Sequence, residues 1–168
     1  MLHTKQIDAD EAARLFEWLD KKADFRDYAL EVFRSEMNPP YMTLPGCTYY
    51  LVSDNGKGLL LIKAVPKADF LDISFSRVFN KIEKQKKEKG WEAHAWLKNA
   101  LEEALIARCR NEKIDTITAT CPRKGEMLFA STKELEIKDV TEIKRTPGYG
   151  GIRVRIKLST NMRAKSYR

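Results

Sequence analysis

Histidine and cysteine are scarce in this sequence, and their scarcity excludes several kinds of site. The 168 residues contain two histidines, His3 and His94, and three cysteines, Cys47, Cys109 and Cys121. The cysteines are odd in number and widely spaced, so they form neither a disulfide framework nor a CxxC metal site. We therefore expect no metal site and a chain made in a reducing, cytoplasmic compartment.

Long apolar runs are also missing. A typical apolar stretch, residues 59–62, is far too short to span a bilayer. The first residues show no basic segment followed by an apolar one, so we expect no signal peptide. With 43% hydrophobic residues the chain has enough apolar side chains for one sizeable core. We predict one domain over residues 1–158 and a basic tail over residues 159–168.

Acidic residues nearly disappear from the end of the chain. The last 27 residues hold eight basic residues against the single acidic Glu142, which accounts for the whole net charge of +7. A second basic excess lies within residues 77–89. This asymmetry favours an acidic partner, which is either nucleic acid, a protein surface or a phosphorylated cofactor. A surface that only keeps the protein in solution explains each cluster equally well.

The basic residues at the end alternate with apolar ones. Residues 152–158 read as a half-buried strand, with one side apolar and the other carrying cations. We predict that a partner binds this basic face and tail, through Arg153, Arg155, Lys157, Arg163, Lys165 and Arg168. The alternative is that these charges only discourage aggregation at a sheet edge.

Helical spacing appears in three places. Asp8 followed by Glu11 is a capping pattern at the start of a first helix, and a second helix is predicted to end before Asn38-Pro39-Pro40. The clearest helix follows Gly90, where small residues and leucines recur at helical spacing. Its apolar stripe comprises Ala93, Leu97, Ala100, Leu101, Ala104 and Leu105.

Strand patterns fill most of the remaining chain. Residues 48–52 and 59–65 flank Asp54-Asn55-Gly56, which is typical of a tight hairpin. A third strand begins at Leu71, and another alternates before Pro122. Further on, a short helix over about residues 125–135 and two strands joined by a loop at residues 147–151 are predicted. A first strand is predicted at the start of the chain, around residues 4–7.

The order of these elements indicates an α/β (α+β) domain with a mixed sheet. A strand, a long helix and a second strand imply a parallel crossover between about residues 70–79 and 114–121, while the hairpins imply antiparallel pairing around it. The predicted sheet is therefore mostly antiparallel, with one central parallel pair that is splayed at one end.

This order resembles the GNAT acetyltransferase fold over nearly the whole chain. In that family the loop before the long helix reads Q/R-x-x-G-x-G/A and binds the pyrophosphate of acetyl-CoA. The matching stretch here is Lys87-Glu88-Lys89-Gly90-Trp91-Glu92. The resemblance implies that a retained cofactor would be bound by Lys87, Lys89, Gly90 and Trp91.

Two departures from the family pattern point away from catalysis. Glu92 stands where the family has Gly or Ala, and its carboxylate competes with the pyrophosphate for the helix N–H groups. Thr132 stands where a Tyr can act as general acid, and threonine is far too weakly acidic to replace it. Asp72 could in principle act as a base toward an amine, although an exposed residue on a half-buried strand is the better explanation of it. No catalytic residue is assigned.

Three functions remain open. The first is a non-catalytic GNAT-like binding or assembly protein without a cofactor, similar to the small internal virion proteins of short-tailed bacteriophages, and located in the cytoplasm or a virion. The second is an atypical N-acetyltransferase that uses acetyl-CoA on a protein or small-molecule amine. The third is a basic nucleic-acid-binding module, although the sequence carries no recognised motif of that class.

Overall fold

The computed structural model describes residues 1–22, 37, 44–77, 92–122, 129, 133–146 and 149–159. Within these residues seven strands form one sheet, and a first helix and a long interrupted helix accompany it. The elements are β1 (Leu2–Ile7), α1 (Ala9–Lys22), β2 (Thr48–Asp54), β3 (Lys57–Pro66), β4 (Leu71–Arg77), α2 (Glu92–Ala100), a π-helical segment (Leu101–Leu105), α3 (Ile106–Asn111), β5 (Thr116–Pro122), β6 (Leu135–Thr146) and β7 (Tyr149–Leu158).

The strands form one mixed sheet in the order β1-β2-β3-β4-β5-β7-β6. Only the β4–β5 neighbours are parallel, and every other neighbouring pair is antiparallel. The predicted α/β architecture with a central parallel pair is confirmed, because β4 and β5 are joined by the long helix as a crossover requires.

The long helix, which we define as α2, the π-helical segment and α3 together, buries its apolar stripe on one face of the sheet. Leu97, Leu101 and Leu105 are completely inaccessible to solvent and belong to the larger of two core clusters. This packing confirms the predicted stripe. The wider π turn was not predicted, since apolar residues spaced three and four apart suit either kind of turn.

The first helix covers part of the opposite face. It contributes Ala12 to a second core cluster with Ile7, Tyr49, Leu51 and Leu61 of the first three strands. Its start is capped as predicted, because the Glu11 N–H donates to Asp8 Oδ1 at 2.7 Å.

The turn between β2 and β3 has the conformation that its sequence predicts. Asn55 and Gly56 both have positive φ, at 50° and 83°. A two-residue turn of this kind matches the twist of the strands it joins.

Three boundaries differ from the sequence predictions. The strand at the start is definite and runs from Leu2, whereas Leu135, predicted to end a helix, begins β6. Gly150 and Gly151 were predicted to lie in a loop but belong to β7, where they pair with Lys144 and Ile143. Ladder pairing with a neighbour here outweighs the low strand preference of glycine. The predicted second helix lies outside the described residues, except for the buried Met37.

No helix within the described ranges is long and apolar enough to cross a membrane.

Side chains of the long helix fasten the outer strand β1. Glu103 accepts a hydrogen bond from the Thr4 main-chain N–H at 2.9 Å, and Asn99 donates to Glu103 at 3.0 Å. Asn99 also accepts from the Thr4 hydroxyl at 2.7 Å. The Thr4 N–H, the Asn99 amide and the nearby His3 together lower the pKa of Glu103 below its ordinary value of 4.5.

Replacing Glu103 by glutamine is expected to make the free energy of unfolding depend less on pH in the acidic range. The folded protein favours the charged carboxylate, so its contribution to stability is present above pH 4.5 and is lost as the pH falls through the lowered folded pKa. Urea unfolding at a series of pH values should show E103Q less stable than wild type at neutral pH, with the difference shrinking as the pH falls below 4.5. Glu102→Gln is the matched control, and an equal effect of both changes would contradict the role of Glu103.

Candidate functional site

The parallel strands β4 and β5 separate soon after they meet. They pair at three positions, Leu71 with Ile117, Asp72 with Thr118 and Ile73 with Ala119. Beyond Ile73, β4 continues to Arg77, and the described part of β5 pairs with it no further. Along residues 74–77 the edge of β4 toward β5 therefore has no ladder pairing with the described part of β5. This opening, defined as the gap between β4 beyond Ile73 and β5 beyond Ala119, confirms the predicted splay.

The long helix begins at the same end of the sheet as this opening. Asn99 donates a hydrogen bond to the Leu2 carbonyl. The strand pairing places Leu2 farther along the sheet than the last residue of β4. Nine residues later, Arg108 contacts Thr48, which is level with the middle of β4. The helix thus runs antiparallel to β4, and its N-terminal turn lies toward the open end. Free N–H groups and the positive end of the helix dipole favour an anion there.

The face of the sheet opposite the long helix is polar around the opening. The buried polar side chains among the described residues are on this face: Lys63, Ser74, Ser76, Thr116 and Thr118. They come from adjacent strands, because Lys63 pairs with Ser74 and Thr118 follows in β5 beside Asp72. Hydroxyl groups and one cation therefore line the sheet at and below the opening.

A cross-strand network joins β4, β5 and β7 at the base of the opening. The Thr118 hydroxyl donates to Asp72 Oδ1 at 2.7 Å, and Arg153 Nη2 lies 3.4 Å from the same oxygen. Arg153 also donates to the hydroxyls of Thr118 and Thr120, at 3.3 Å and 3.4 Å. The Asp72 side chain is only 21% exposed. It is thus neither an ordinary exposed strand residue nor a carboxylate aimed at solvent, and it holds β4, β5 and β7 together.

The basic strand face has the predicted alternation. Ile152, Val154, Ile156 and Leu158 are buried, while the three cations between them are exposed. The network separates these cations, since Arg153 contacts Asp72, whereas Arg155 and Lys157 lie farther toward the other end of β5, opposite Thr118 and Thr116. Their role in binding a partner remains a prediction.

Several predicted residues lie where the structure gives no description. The cofactor-loop residues Lys87, Lys89, Gly90 and Trp91 and the tail residues Arg163, Lys165 and Arg168 are outside the described ranges, as is Thr132. Glu92 is the first residue of α2, and its side chain lies outside the description. The predictions for the pyrophosphate loop and the basic tail therefore remain predictions.

The thiol of Cys109 is not in a reactive state. Cys109 is buried, and burial raises the pKa of its thiol to about 11, so it is protonated at neutral pH. Within the described ranges no three metal-binding side chains come together.

Comparison with known proteins identifies the fold. No protein-family model and no curated protein sequence matches the chain. Solved structures match nearly all of it. An aminoglycoside acetyltransferase in complex with coenzyme A has a TM-score of 0.59 and 12% identity, over 98% of this chain and 99% of that one.

Two further matches come from named bacteria. The spermidine/spermine N-acetyltransferase of Vibrio cholerae, solved as mutant forms, has a TM-score of 0.57 and 10% identity, over 98% of this chain and 99% of that one. A GNAT-family acetyltransferase from Streptococcus pneumoniae has 0.55 and 14%, over 94% and 99%. Identities this low show the fold alone. The chain therefore has the GNAT acetyltransferase fold.

Sequence reasoning found Asp72 and Arg153 separately but missed their contact. The two residues are 81 positions apart, so no local pattern links them. The signal that was available is the alternation of Thr116, Thr118 and Thr120, which places three hydroxyls on one face of β5. That regular polar face could have indicated a hydrogen-bonded surface rather than a solvated one.

Proposed function

We propose that the opening between β4 and β5 binds an acyl-CoA and that the protein transfers the acyl group to an amine. The observation that carries this proposal is the separation of β4 from β5 after Ile73, at the end of the sheet where the long helix begins. Support comes from solved structures of the same fold, some of which are acetyltransferases in complex with coenzyme A or acetyl-CoA.

The open edge of β4 suits the pantetheine arm of a coenzyme A. Main-chain N–H and C=O groups along residues 74–77 can bond the two amides of that arm, as an added strand would. The first turn of α2 would face the pyrophosphate, with Lys87 and Lys89 as nearby cations in the sequence. Glu92 at the start of that helix opposes the same anion, so we expect weak rather than tight binding.

The thioester of the bound cofactor would supply the activated acyl group. The chain's own contribution is then to orient the two reactants and to exclude water, with the acceptor amine approaching from the polar face beside Ser74, Ser76 and Thr118. Asp72 contacts Thr118 and Arg153 rather than pointing at an incoming amine. An amine acceptor must therefore arrive uncharged, and turnover should rise with pH until the amine is deprotonated.

A second candidate function is binding or assembly without catalysis. The carboxylate that β4 places near the opening belongs to Asp72, and it already forms an ion pair with Arg153. This contact favours a function without catalysis. The resemblance to small GNAT-like virion proteins of short-tailed phages belongs to this candidate, and so does a location in a virion. Under this proposal the opening is a remnant and the protein acts through its surface.

Thermal unfolding with added ligands separates these functions. Acetyl-CoA at a hundred times its Kd should stabilise the folded protein by about 2.7 kcal/mol. Adenosine 3′,5′-bisphosphate, which lacks the pantetheine arm, controls for simple anion binding by a basic protein. Stabilisation by acetyl-CoA together with thiol release in the presence of a polyamine supports the transferase. No stabilisation by acetyl-CoA and no thiol release supports the binding protein, and equal effects of the two ligands would refute a pantetheine site.

A further inference from the structure

The strand β1 forms one of the two outer edges of the sheet. In the described part of the chain it pairs with β2 alone, and the register is regular along its whole length. Half of its six side chains are exposed, namely those of His3, Lys5 and Gln6. The unpaired edge of a regular strand is a template onto which a strand of another chain can add.

Alternate residues of β1 direct their main-chain groups away from β2. The Thr4 N–H donates to Glu103 Oε2 at 2.9 Å, so it takes no part in the ladder with β2. Along an antiparallel strand, residues that exchange hydrogen bonds with their neighbour alternate with residues that do not. The residues whose N–H and C=O groups face outward are therefore Leu2, Thr4 and Gln6.

Two side chains of the long helix occupy outward groups of this strand. Glu103 accepts from the Thr4 N–H, and Asn99 donates to the Leu2 carbonyl at 3.5 Å. In a parallel ladder, one residue of a neighbouring strand bonds the same two groups, a carbonyl and the N–H two positions later. Asn99 and Glu103, which are joined at 3.0 Å, thus take the place of a neighbouring strand. We call these two side chains the edge cap.

The opposite edge of the sheet is protected by a different device. The ladder of β6 with β7 shifts register between Ile137 and Asp139, where Lys138 is an extra residue, and again between Lys144 and Thr146. Bulges of this kind bend an edge strand and interrupt the ladder that another strand would need. The ladder of β1 has no bulge, and the edge cap serves instead.

A second copy of β1 fits this edge once the edge cap is released. Antiparallel pairing about a two-fold axis at Thr4 places Thr4 opposite its own copy and Leu2 opposite Gln6. All three residues face outward, so each of these pairs exchanges main-chain hydrogen bonds. Threonines that lie opposite each other on adjacent strands are a favourable pair. The one charged residue of the strand, Lys5, lies opposite His3 and not opposite its own copy.

The edge cap also opposes this pairing through its charge. Glu103 reaches the edge at Thr4, which would lie on the two-fold axis, so the two Glu103 carboxylates would come close together. Like charges at short range repel each other. The edge cap therefore fills main-chain groups of the edge and also repels a second copy.

We propose that the outer edge of β1 is a latent dimer interface that Asn99 and Glu103 hold closed. The partner is a second copy of this chain, paired antiparallel through Leu2, Thr4 and Gln6. The hydrogen bonds of Glu103 lie at the surface, where such bonds contribute little net energy, so the edge can be freed without removing core packing. This interface does not depend on acyl-CoA binding at the opening.

Size-exclusion chromatography with light scattering tests the proposal on the full chain over a range of protein concentrations. Asn99→Ala with Glu103→Ala removes the edge cap and should tighten self-association about tenfold or more, so that the mass rises to that of a dimer. Lys98→Ala with Glu102→Ala is the matched control, because these residues form an ion pair of the same spacing on the same helix. The control should have the mass of wild type at every concentration.

A proline in β1 shows whether the dimer forms through this edge. The Thr4 N–H points away from β2, so Thr4→Pro removes the central donor of the new pairing and leaves the ladder with β2 intact. Added to the double variant, it should restore the monomer. Each variant must keep the wild-type circular dichroism spectrum, and Glu103→Ala alone or Gln6→Pro replaces a variant that does not. Equal masses of wild type and the variant without the edge cap, an equal rise in the control, or a dimer that survives the proline would each overturn the proposal.

Discussion

Replacing Leu101 by alanine is expected to lower the free energy of unfolding by about 2–5 kcal/mol. Leu101 begins the π-helical segment of the long helix, is completely inaccessible to solvent and belongs to the larger core cluster. Removing its three outer carbon atoms loses their burial and leaves a cavity that the surrounding sheet cannot fill completely. Equilibrium unfolding in urea measures the effect.

A neighbouring change in the same segment provides the control. Glu102 is exposed and faces away from the sheet, so Glu102→Ala should alter stability by less than about 0.5 kcal/mol. A loss below 1 kcal/mol for Leu101→Ala would mean that the helix does not pack on the sheet through this residue. The arrangement of the crossover between β4 and β5 would then be wrong.

Replacing Glu92 by glutamine is expected to tighten acetyl-CoA binding about tenfold, equivalent to about 1.4 kcal/mol. Glu92 is the first residue of α2, where unpaired N–H groups and the helix dipole favour an anion. A carboxylate at this position competes with a pyrophosphate for those groups and repels it. Glutamine keeps the size of the side chain and removes the charge.

Calorimetric titration at two salt concentrations checks this prediction. The gain should shrink at high salt, because screening weakens the repulsion that the wild-type carboxylate exerts. Glu102→Gln, ten residues farther along the same helix, should leave the affinity unchanged. Equal affinities for wild type and Glu92→Gln at low salt would show that the pyrophosphate does not lie at this helix end.

The parts of the fold that sequence could predict are those set by local periodicity and turn chemistry. The stripe that includes Leu97 and Leu105 predicted the burial of the long helix, and Asn55-Gly56 predicted the hairpin. Alternation predicted which side chains of residues 152–158 are buried. Each of these signals depends on residues close together in the chain, so a single sequence contains all of the information.

The parts that could not be predicted depend on contacts between distant segments. The bulge at Lys138 arises from the register between β6 and β7, and no residue nearby signals it. Gly150 and Gly151 read as loop residues until pairing across the hairpin places them in a strand. The contact of Asp72 with Arg153 likewise requires the strand order, which brings β7 beside β5 and β5 beside β4.

Hydrogen–deuterium exchange of β4 with and without acetyl-CoA tests the central claim most directly. If the pantetheine arm bonds the open edge, the amides of residues 74–77 should exchange more slowly with saturating acetyl-CoA, while those of β6, at the far edge of the sheet, should not change. Adenosine 3′,5′-bisphosphate should leave the exchange rates of the β4 amides unchanged. Unchanged exchange in residues 74–77 at saturating acetyl-CoA would contradict the proposal that the opening between β4 and β5 is an acyl-CoA site.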